Sequence, residues 1–320
     1  MADRLGPALA EPLFGRVAII GVGLIGSSIA RAARRKNAAE RITIADCSRE
    51  ARDRAAALGL GHEIVASAAA AAAGADLAIL CVPVGADEAL AREIAPALKA
   101  GAIVSDVGSV KGAVIAAVAP HLPKRAHLVP AHPVAGTEQS GPDAGFATLF
   151  VNRWCIVTPP DGADANAVER VRGFWRALGS NVETMTAAHH DLVLAITSHV
   201  PHLIAYNIVG TAADLEEVTR SEVVKFSAGG FRDFTRIAAS DPTMWRDVFL
   251  NNKDAVLEAL GRFNEDLTAL QRMIRRGDGE GLFALFSRTR AIRRGIVELG
   301  QETAAPDFGR RAGEDAESAT

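Results

Sequence analysis

Four short stretches of the chain carry side chains that could move a proton or grip a carboxylate. The first is AHPVAGTEQSG, residues 131–141. A histidine has an ordinary pKa near ~6.5, so at neutral pH His132 could take a proton from an alcohol while hydride leaves the same carbon. Pro133 keeps the histidine backbone extended, and Gly136 lets the chain pass close to a bound molecule. A polar loop histidine with no chemical role fits this stretch equally well. The second is SDVGSVKG, residues 105–112, in which Ser109 could hydrogen-bond a substrate hydroxyl, orient His132 or cap the following helix. The third is SHVPH, with Ser198, His199 and His202. Its histidines stand at i and i+3 and could share a metal, but no third ligand is evident, so core or substrate-contact histidines are expected and no metal. The fourth is FRDFTRIA, residues 231–238. If it is helical, Arg232 and Arg236 share one face, and an arginine fork suits a carboxylate. With Asp233 between them, they could equally form a solvated charged face.

These groups need a scaffold, and the periodicity describes one. VAIIGVGLIGSSIA (17–30) runs from an apolar strand through glycines into a helix. ITIAD (42–46), ADLAILCVPV (75–84), GAIVSDVGS (101–109), AHLVPAHPV (126–134) and WCIVTPP (154–160) read as further strands, with helical stretches between them and over 164–178. Alternation of this kind implies an α/β fold with a mostly parallel sheet covered by helices on both faces. From residue 187 the strand signals stop, and 187–213, 214–228, 242–272 and 279–300 carry helical periodicity. The expected organisation is an arm (1–14), a Rossmann-type domain (15–186), an all-helical domain (187–300) and an acidic tail (301–320). Pro201 lies inside the first of the later helices and should free the carbonyl of Thr197 and kink it.

The glycines make the scaffold specific. GVGLIG places Gly21, Gly23 and Gly26 between strand and helix, and Asp46 ends the next strand 20 residues beyond Gly26. This is a dinucleotide fingerprint. The first glycine makes the turn, the second lets the backbone approach a pyrophosphate, and the third lets helix and strand pack. Leu24 and Ile25 open the helix, whose free N–H groups face the phosphates. Asp46 would accept hydrogen bonds from the ribose hydroxyls and repel a 2′-phosphate, which favours NAD over NADP, although Arg49 nearby tempers that preference. Val82 and Pro83, at the end of a neighbouring strand, complete the expected cofactor residues.

Bulk properties narrow the function further. The formal charge is −3, and the last twenty residues alone carry five acids and two arginines. The rest is therefore neutral, which gives no electrostatic ground for nucleic-acid binding. Three widely spaced cysteines (Cys47, Cys81, Cys155) argue against a disulfide framework and for a reducing cytoplasm. The N-terminal residues show no signal-peptide pattern. Residues 192–213 carry no formal charge and are long enough to cross a bilayer, but two histidines, a proline and several hydroxyls make a buried helix the better reading, with no membrane partner.

Taken together, GVGLIGSSIARA, DVGSVKG, HPVAGTEQSG, SHVPH and GGFRDFTRIAASDPTMW resemble the prephenate/arogenate dehydrogenase (TyrA) family, in the family's order and over roughly residues 15 to 300. The resemblance implies an NAD-dependent oxidative decarboxylation in tyrosine biosynthesis. It implies that His132 accepts the proton of the ring hydroxyl, assisted by Ser109, and that Arg236 binds the ring carboxylate. It places Ser198, His199 and His202 along the pocket, and Glu138, Arg232 and Asp233 in an ionic cluster at its entrance. It implies a homodimer built through the helical domain. A β-hydroxyacid dehydrogenase would instead use a helical-domain lysine, for which only Lys225 and Lys253 are on offer, and a non-catalytic NAD sensor would need the glycine fingerprint alone.

Overall fold

The computed structural model describes residues 6–137, 139–214 and 229–298. Its first sheet is built from β1 (Phe14–Ile20), β2 (Ala39–Ala45), β3 (Glu63–Val65), β4 (Leu77–Leu80), β5 (Ile103–Asp106) and β6 (His127–Leu128). All pairings are parallel, in the order β3-β2-β1-β4-β5-β6. The expected doubly wound sheet is therefore present. Between the strands run α1 (Leu24–Lys36), α2 (Arg49–Ala57), α3 (Ala68–Ala72), α4 (Asp87–Ile94) and α5 (Lys111–Val118). The central strands are buried on both faces, which is why their sequences are continuously apolar rather than alternating. One face packs Ile19, Ile29, Ile42 and Phe174 in a first core. The other packs Ala18, Leu80, Ile94 and Val104 in a second.

Register carries this sheet towards function. Ile20 pairs with Ala45 and with Leu80, and Leu80 pairs with Asp106. Four strands thus end level, and the segments that follow them (Gly21–Gly26, Asp46, Val82–Pro83 and Val107–Lys111) emerge along one carboxyl edge. The order reverses between β1 and β4, so this edge includes the crevice where open α/β sheets bind ligands.

The stretch 126–134 is not one strand, as its apolar run suggests. Val129 makes the last main-chain bond to β5, at 2.9 Å to the Val104 carbonyl. Pro130 then has no N–H to offer the ladder. The chain turns into β7 (Ala131–Pro133), which belongs to a second sheet with β8 (Trp154–Val157) and β9 (Asn181–Thr184). β7 runs antiparallel to β8, with His132 opposite Ile156, and α6 (Ala165–Ala177) joins β8 to β9. Asp164 caps α6 by accepting from Ala167 N at 2.8 Å.

The helices that follow are α7 (Ala187–Leu194), α8 (Val200–Asp214), α9 (Gly229–Thr235), α10 (Pro242–Asn251), α11 (Lys253–Arg276) and α12 (Gly279–Glu298). A π-helical turn, Ala195–His199, joins α7 to α8 immediately before Pro201, where the missing N–H was expected to disturb the helix. The single helix expected over 242–272 is broken at Asn252, whose backbone leaves helical geometry (φ −112°) while its amide reaches back to α7. Residues 215–228 of the expected helix at 214–228, and the acidic tail, lie outside the described residues. Compactness divides the chain elsewhere than the change of secondary structure does. Residues up to Val256 form one unit and those from Leu257 another. The second unit is most of α11 plus α12, turned at Gly277 (φ +66°), with Asp278 accepting from Gly281 N at 2.9 Å.

Candidate active site

The glycines at the carboxyl edge divide into two roles. A methyl group at Gly21 would collide with the Cys81 carbonyl, and one at Gly26 with the Gly21 carbonyl, so these two glycines let β1, β4 and α1 close on one another. Gly23 is different. It is the N-cap of α1, has no side-chain cap, and a methyl there would meet nothing within 4 Å. The open space lies over the uncapped N–H groups of Leu24 and Ile25, the environment a pyrophosphate requires. Asp46 Oδ2 accepts from Val22 N and Oδ1 from Ser48 N, both at 2.9 Å, which fixes its carboxylate at the end of β2. Val82 lies against Gly21, and Pro83 follows it. The residues present therefore fit a dinucleotide. Gly23→Ala should raise the KM for NAD by roughly tenfold or more with an unchanged Tm, whereas Gly26→Ala should lower Tm. Paired kinetic and melting measurements distinguish the two.

His132 sits beside this edge, 8% exposed. Its Nδ1 is 2.8 Å from Nε2 of His190, and His190 Nδ1 is 2.8 Å from Asp191 Oδ1. Asp191 also accepts from the main-chain N–H of Lys111 at 2.7 Å and of Gly112 at 2.8 Å, the opening residues of α5. Burial alone would raise the Asp191 carboxyl. The hydrogen bonds from His190 and the two amides outweigh it and hold the carboxyl below the ordinary range. An ionised Asp191 can only accept, so His190 donates from Nδ1 and its Nε2 is an acceptor. His132 must then donate from Nδ1, which leaves its own Nε2 with a bare lone pair; the tautomers follow from the network. Burial, then His190, Lys111 and His199, keep His132 well below its ordinary value, so it is neutral at pH 7.

Asp106 ends β5 and Lys111 opens α5, and their side chains form a fully buried ion pair. Lys111 Nζ also donates to the Ala131 carbonyl at 2.9 Å, and Asp106 Oδ1 accepts from Ala131 N at 3.3 Å. The pair thus continues the β5 ladder where Pro130 ended it. Ser109, on the same segment, does not cap α5. The N-cap is Val110, and the end of the helix is bonded by Asp191 instead. The partner that orients His132 is His190, and no Ser109–His132 hydrogen bond is present.

Asp87, in the first turn of α4, is 2% exposed. Burial, then the Asp106 charge, push its carboxyl up to about 8, against the opposing pull of Lys111. A carboxyl whose folded value lies above its unfolded one binds a proton on folding. Its contribution to stability is therefore present at low pH and is lost as pH rises towards about 8. Asp87→Asn should melt higher than the parent at pH 9, at roughly 2–4 °C for each kcal/mol regained, and the gap should close towards pH 4. Equal shifts at both pH values in calorimetry would contradict this.

The helical residues are arranged around Trp245. His202 stacks on the Trp245 ring at 3.7 Å between centroids, and its Nδ1 bonds to the Ser198 carbonyl at 2.8 Å. Burial lowers the His202 pKa, and Arg236, close enough to act on it electrostatically, lowers it further. Arg236 begins a 3-10 turn rather than continuing α9, so it does not extend the helical face of Arg232. His199 is fully buried; its Nδ1 accepts from the Asn252 amide at 3.1 Å. Burial, then His190, push His199 down to about 4, while the Asp191 carboxylate and the Ser109 carbonyl oppose the fall. His199 and His202 are thus engaged separately. Arg232 and Asp233 are exposed and form no ion pair with the other described residues, and Glu138 lies outside the described residues. Of the two lysines considered for a different dehydrogenase, Lys253 is exposed and Lys225 is outside the described residues.

Sequence reasoning missed His190, Asp191, Asp106 and Lys111. Two of them lay in the quoted SDVGSVKG. The HHD of residues 189–191 lies in the helical stretch 187–213, and only tertiary structure brings it to His132.

Two family models match the chain. Residues 29–184 match the nucleotide-binding domain of prephenate dehydrogenase, and residues 186–288 match its dimerization domain. The chain is 43% identical over 281 residues to a cyclohexadienyl dehydrogenase of Zymomonas mobilis, covering 88% of this chain and 96% of the other. Its fold is similar to that of a prephenate dehydrogenase from Aquifex aeolicus crystallised with hydroxyphenyl propionate and NAD+, with a TM-score of 0.82, 34% identity and coverage of 88% and 98%. It is also similar to a Synechocystis arogenate dehydrogenase, with a TM-score of 0.74, 25% identity and coverage of 88% and 99%.

Proposed function

Because the chain belongs to the prephenate dehydrogenase family, we propose that it oxidises a carboxylated cyclohexadienol, prephenate or arogenate or both, with NAD. The carrying observation is the chain His132–His190–Asp191, which holds a neutral proton acceptor beside the dinucleotide edge. NAD, when bound against Gly23, supplies the hydride acceptor. The C–H bond of the alcohol carbon gives up its electron pair, and the hydroxyl proton passes to His132 Nε2. His190 and Asp191 stabilise the imidazolium that results. The bond to the ring carboxylate then breaks, its electron pair runs through the ring to the ketone oxygen, carbon dioxide leaves and the ring becomes aromatic; the phenolate oxygen takes the proton back from His132. No residue has to protonate the leaving group.

Other roles extend this reading. Ser109 contacts the hydroxyl, Arg236 grips the ring carboxylate, and His202, set by Ser198 and Trp245, faces the rest of the substrate. His199 shapes the wall from within the core. Glu138, Arg232 and Asp233 act at the entrance. The protein works as a homodimer. The described helices expose Ile196, Ile208, Leu257, Phe283 and Phe286, which a second copy would cover. The helix Ala187–Asp214 is long and apolar enough to cross a membrane, yet it carries the buried His190 and His199, so a protein environment suits it better. Free Cys47, Cys81 and Cys155 suit the cytoplasm.

The test follows NADH formation with purified protein, NAD and each substrate in turn. Turnover of either substrate supports the proposal, and comparable rates with both would define a dual-specificity enzyme. No turnover, with NAD binding demonstrated, would overturn it.

A further inference from the structure

Two routes to His132 pass through one residue that is beyond the reach of any substrate. The Lys111 side chain is 0% exposed. Its ammonium bonds to the carbonyl of Ala131, the residue before His132, and to Asp106, which accepts from the Ala131 amide. Its main-chain N–H bonds to Asp191, at the far end of the histidine chain. We propose that Lys111 is the positioning residue for His132, fixing the strand that carries the imidazole through its side chain and the carboxylate that orients the imidazole through its backbone.

The arrangement explains why a lysine is buried here. A neutral side chain of the same length would fill the space, but it could not bond to Asp106 and Ala131 together. The ammonium also acts on the imidazole. His132 is faced by His190 from α7, His199 from the π-helical turn, Lys111 from α5, Asp106 from β5 and Cys155 from β8. Among these Lys111 is the one fixed cation, and it opposes a second positive charge on His132 and on His190. Lys111 therefore sets both the place of the acceptor and the pH below which it is lost.

The inference rests on His132 being the proton acceptor, so the test keeps the two separable. kcat/KM is measured against pH for the parent, Lys111→Met, the double variant Asp106→Asn/Lys111→Met, and His132→Asn. The double variant removes both buried charges and guards against failure of the single variant to fold. His132 must be neutral to act, so activity falls as pH falls through its pKa. In Lys111→Met that limb should move to higher pH by roughly one unit, whereas in the double variant, where a cation and an anion leave together, it should stay near the parent's. kcat should fall by ~tenfold or more while the KM for NAD stays near the parent value. An acid limb in Lys111→Met that superimposes on the parent, or a folded double variant with parental kcat, overturns the role of Lys111. His132→Asn with parental turnover would instead remove the reading on which it rests.

Discussion

His132→Asn should lose turnover by roughly 10²- to 10⁴-fold, the usual worth of a positioned general base, while binding NAD as before. Asparagine keeps the size and polarity of the side chain but cannot take a proton at neutral pH. The proposed cofactor residues lie on other segments: Gly23 opens α1 and Asp46 follows β2, and no hydrogen bond joins either to His132. Steady-state kinetics gives the first quantity, and titration of intrinsic fluorescence with NAD gives the second. Loss of both together would mean that the substitution had damaged the fold rather than the chemistry. Parental turnover would show that the proton goes elsewhere.

Asp191→Asn should be nearly as damaging, although residue 191 reaches His132 only through His190. The amide must present either its NH2 or its oxygen to His190. If it presents NH2, His190 becomes a donor at Nε2, His132 accepts at Nδ1, and the proton on His132 moves to Nε2, where the lone pair is needed. A wrong tautomer in correct geometry costs a serine protease about 10⁴ in kcat, and we expect a fall of ~10²-fold or more here. If the oxygen faces His190 instead, the NH2 meets the Gly112 amide donor-to-donor. Either orientation leaves a polar group at the start of α5 unmet, for a stability loss of ~1–3 kcal/mol. Calorimetry and kcat measured on one preparation check both parts: a fall in kcat reports the first orientation, and a parental Tm together with a kcat within about threefold of the parent would contradict the arrangement.

The two variants bracket what the sequence makes legible. The doubly wound sheet could be read because its central strands are apolar runs bounded by turns, and the fingerprint glycines stand at fixed offsets from β1 and Asp46; the three-residue edge strand β3, half exposed, carries no such run. His132 stands at the end of such a run, but the pattern alone suits an inert loop histidine equally well, and the resemblance of HPVAGTEQSG is what singles it out. Its sheet could not be read. Leu128 and Ala131 look like one strand, and the break comes from Pro130 lacking an N–H while Asp106, 25 residues away, accepts from Ala131 instead. His190 and Asp191 were hidden for a related reason. They lie 58 and 59 positions beyond His132, and no helical or strand periodicity records a contact of that separation. Ser109 shows the opposite error. Its spacing suits an N-cap, but a carboxylate from α7 already occupies the helix end.

The central claim is that His132 is a neutral acceptor with its lone pair on Nε2. Nitrogen NMR of protein labelled in its imidazole rings, with His132 assigned by comparison with His132→Asn, tests it directly. His132 should stay neutral, with its proton on Nδ1. A His132 that titrates between about pH 5 and 8, or that carries its proton on Nε2, would contradict the account.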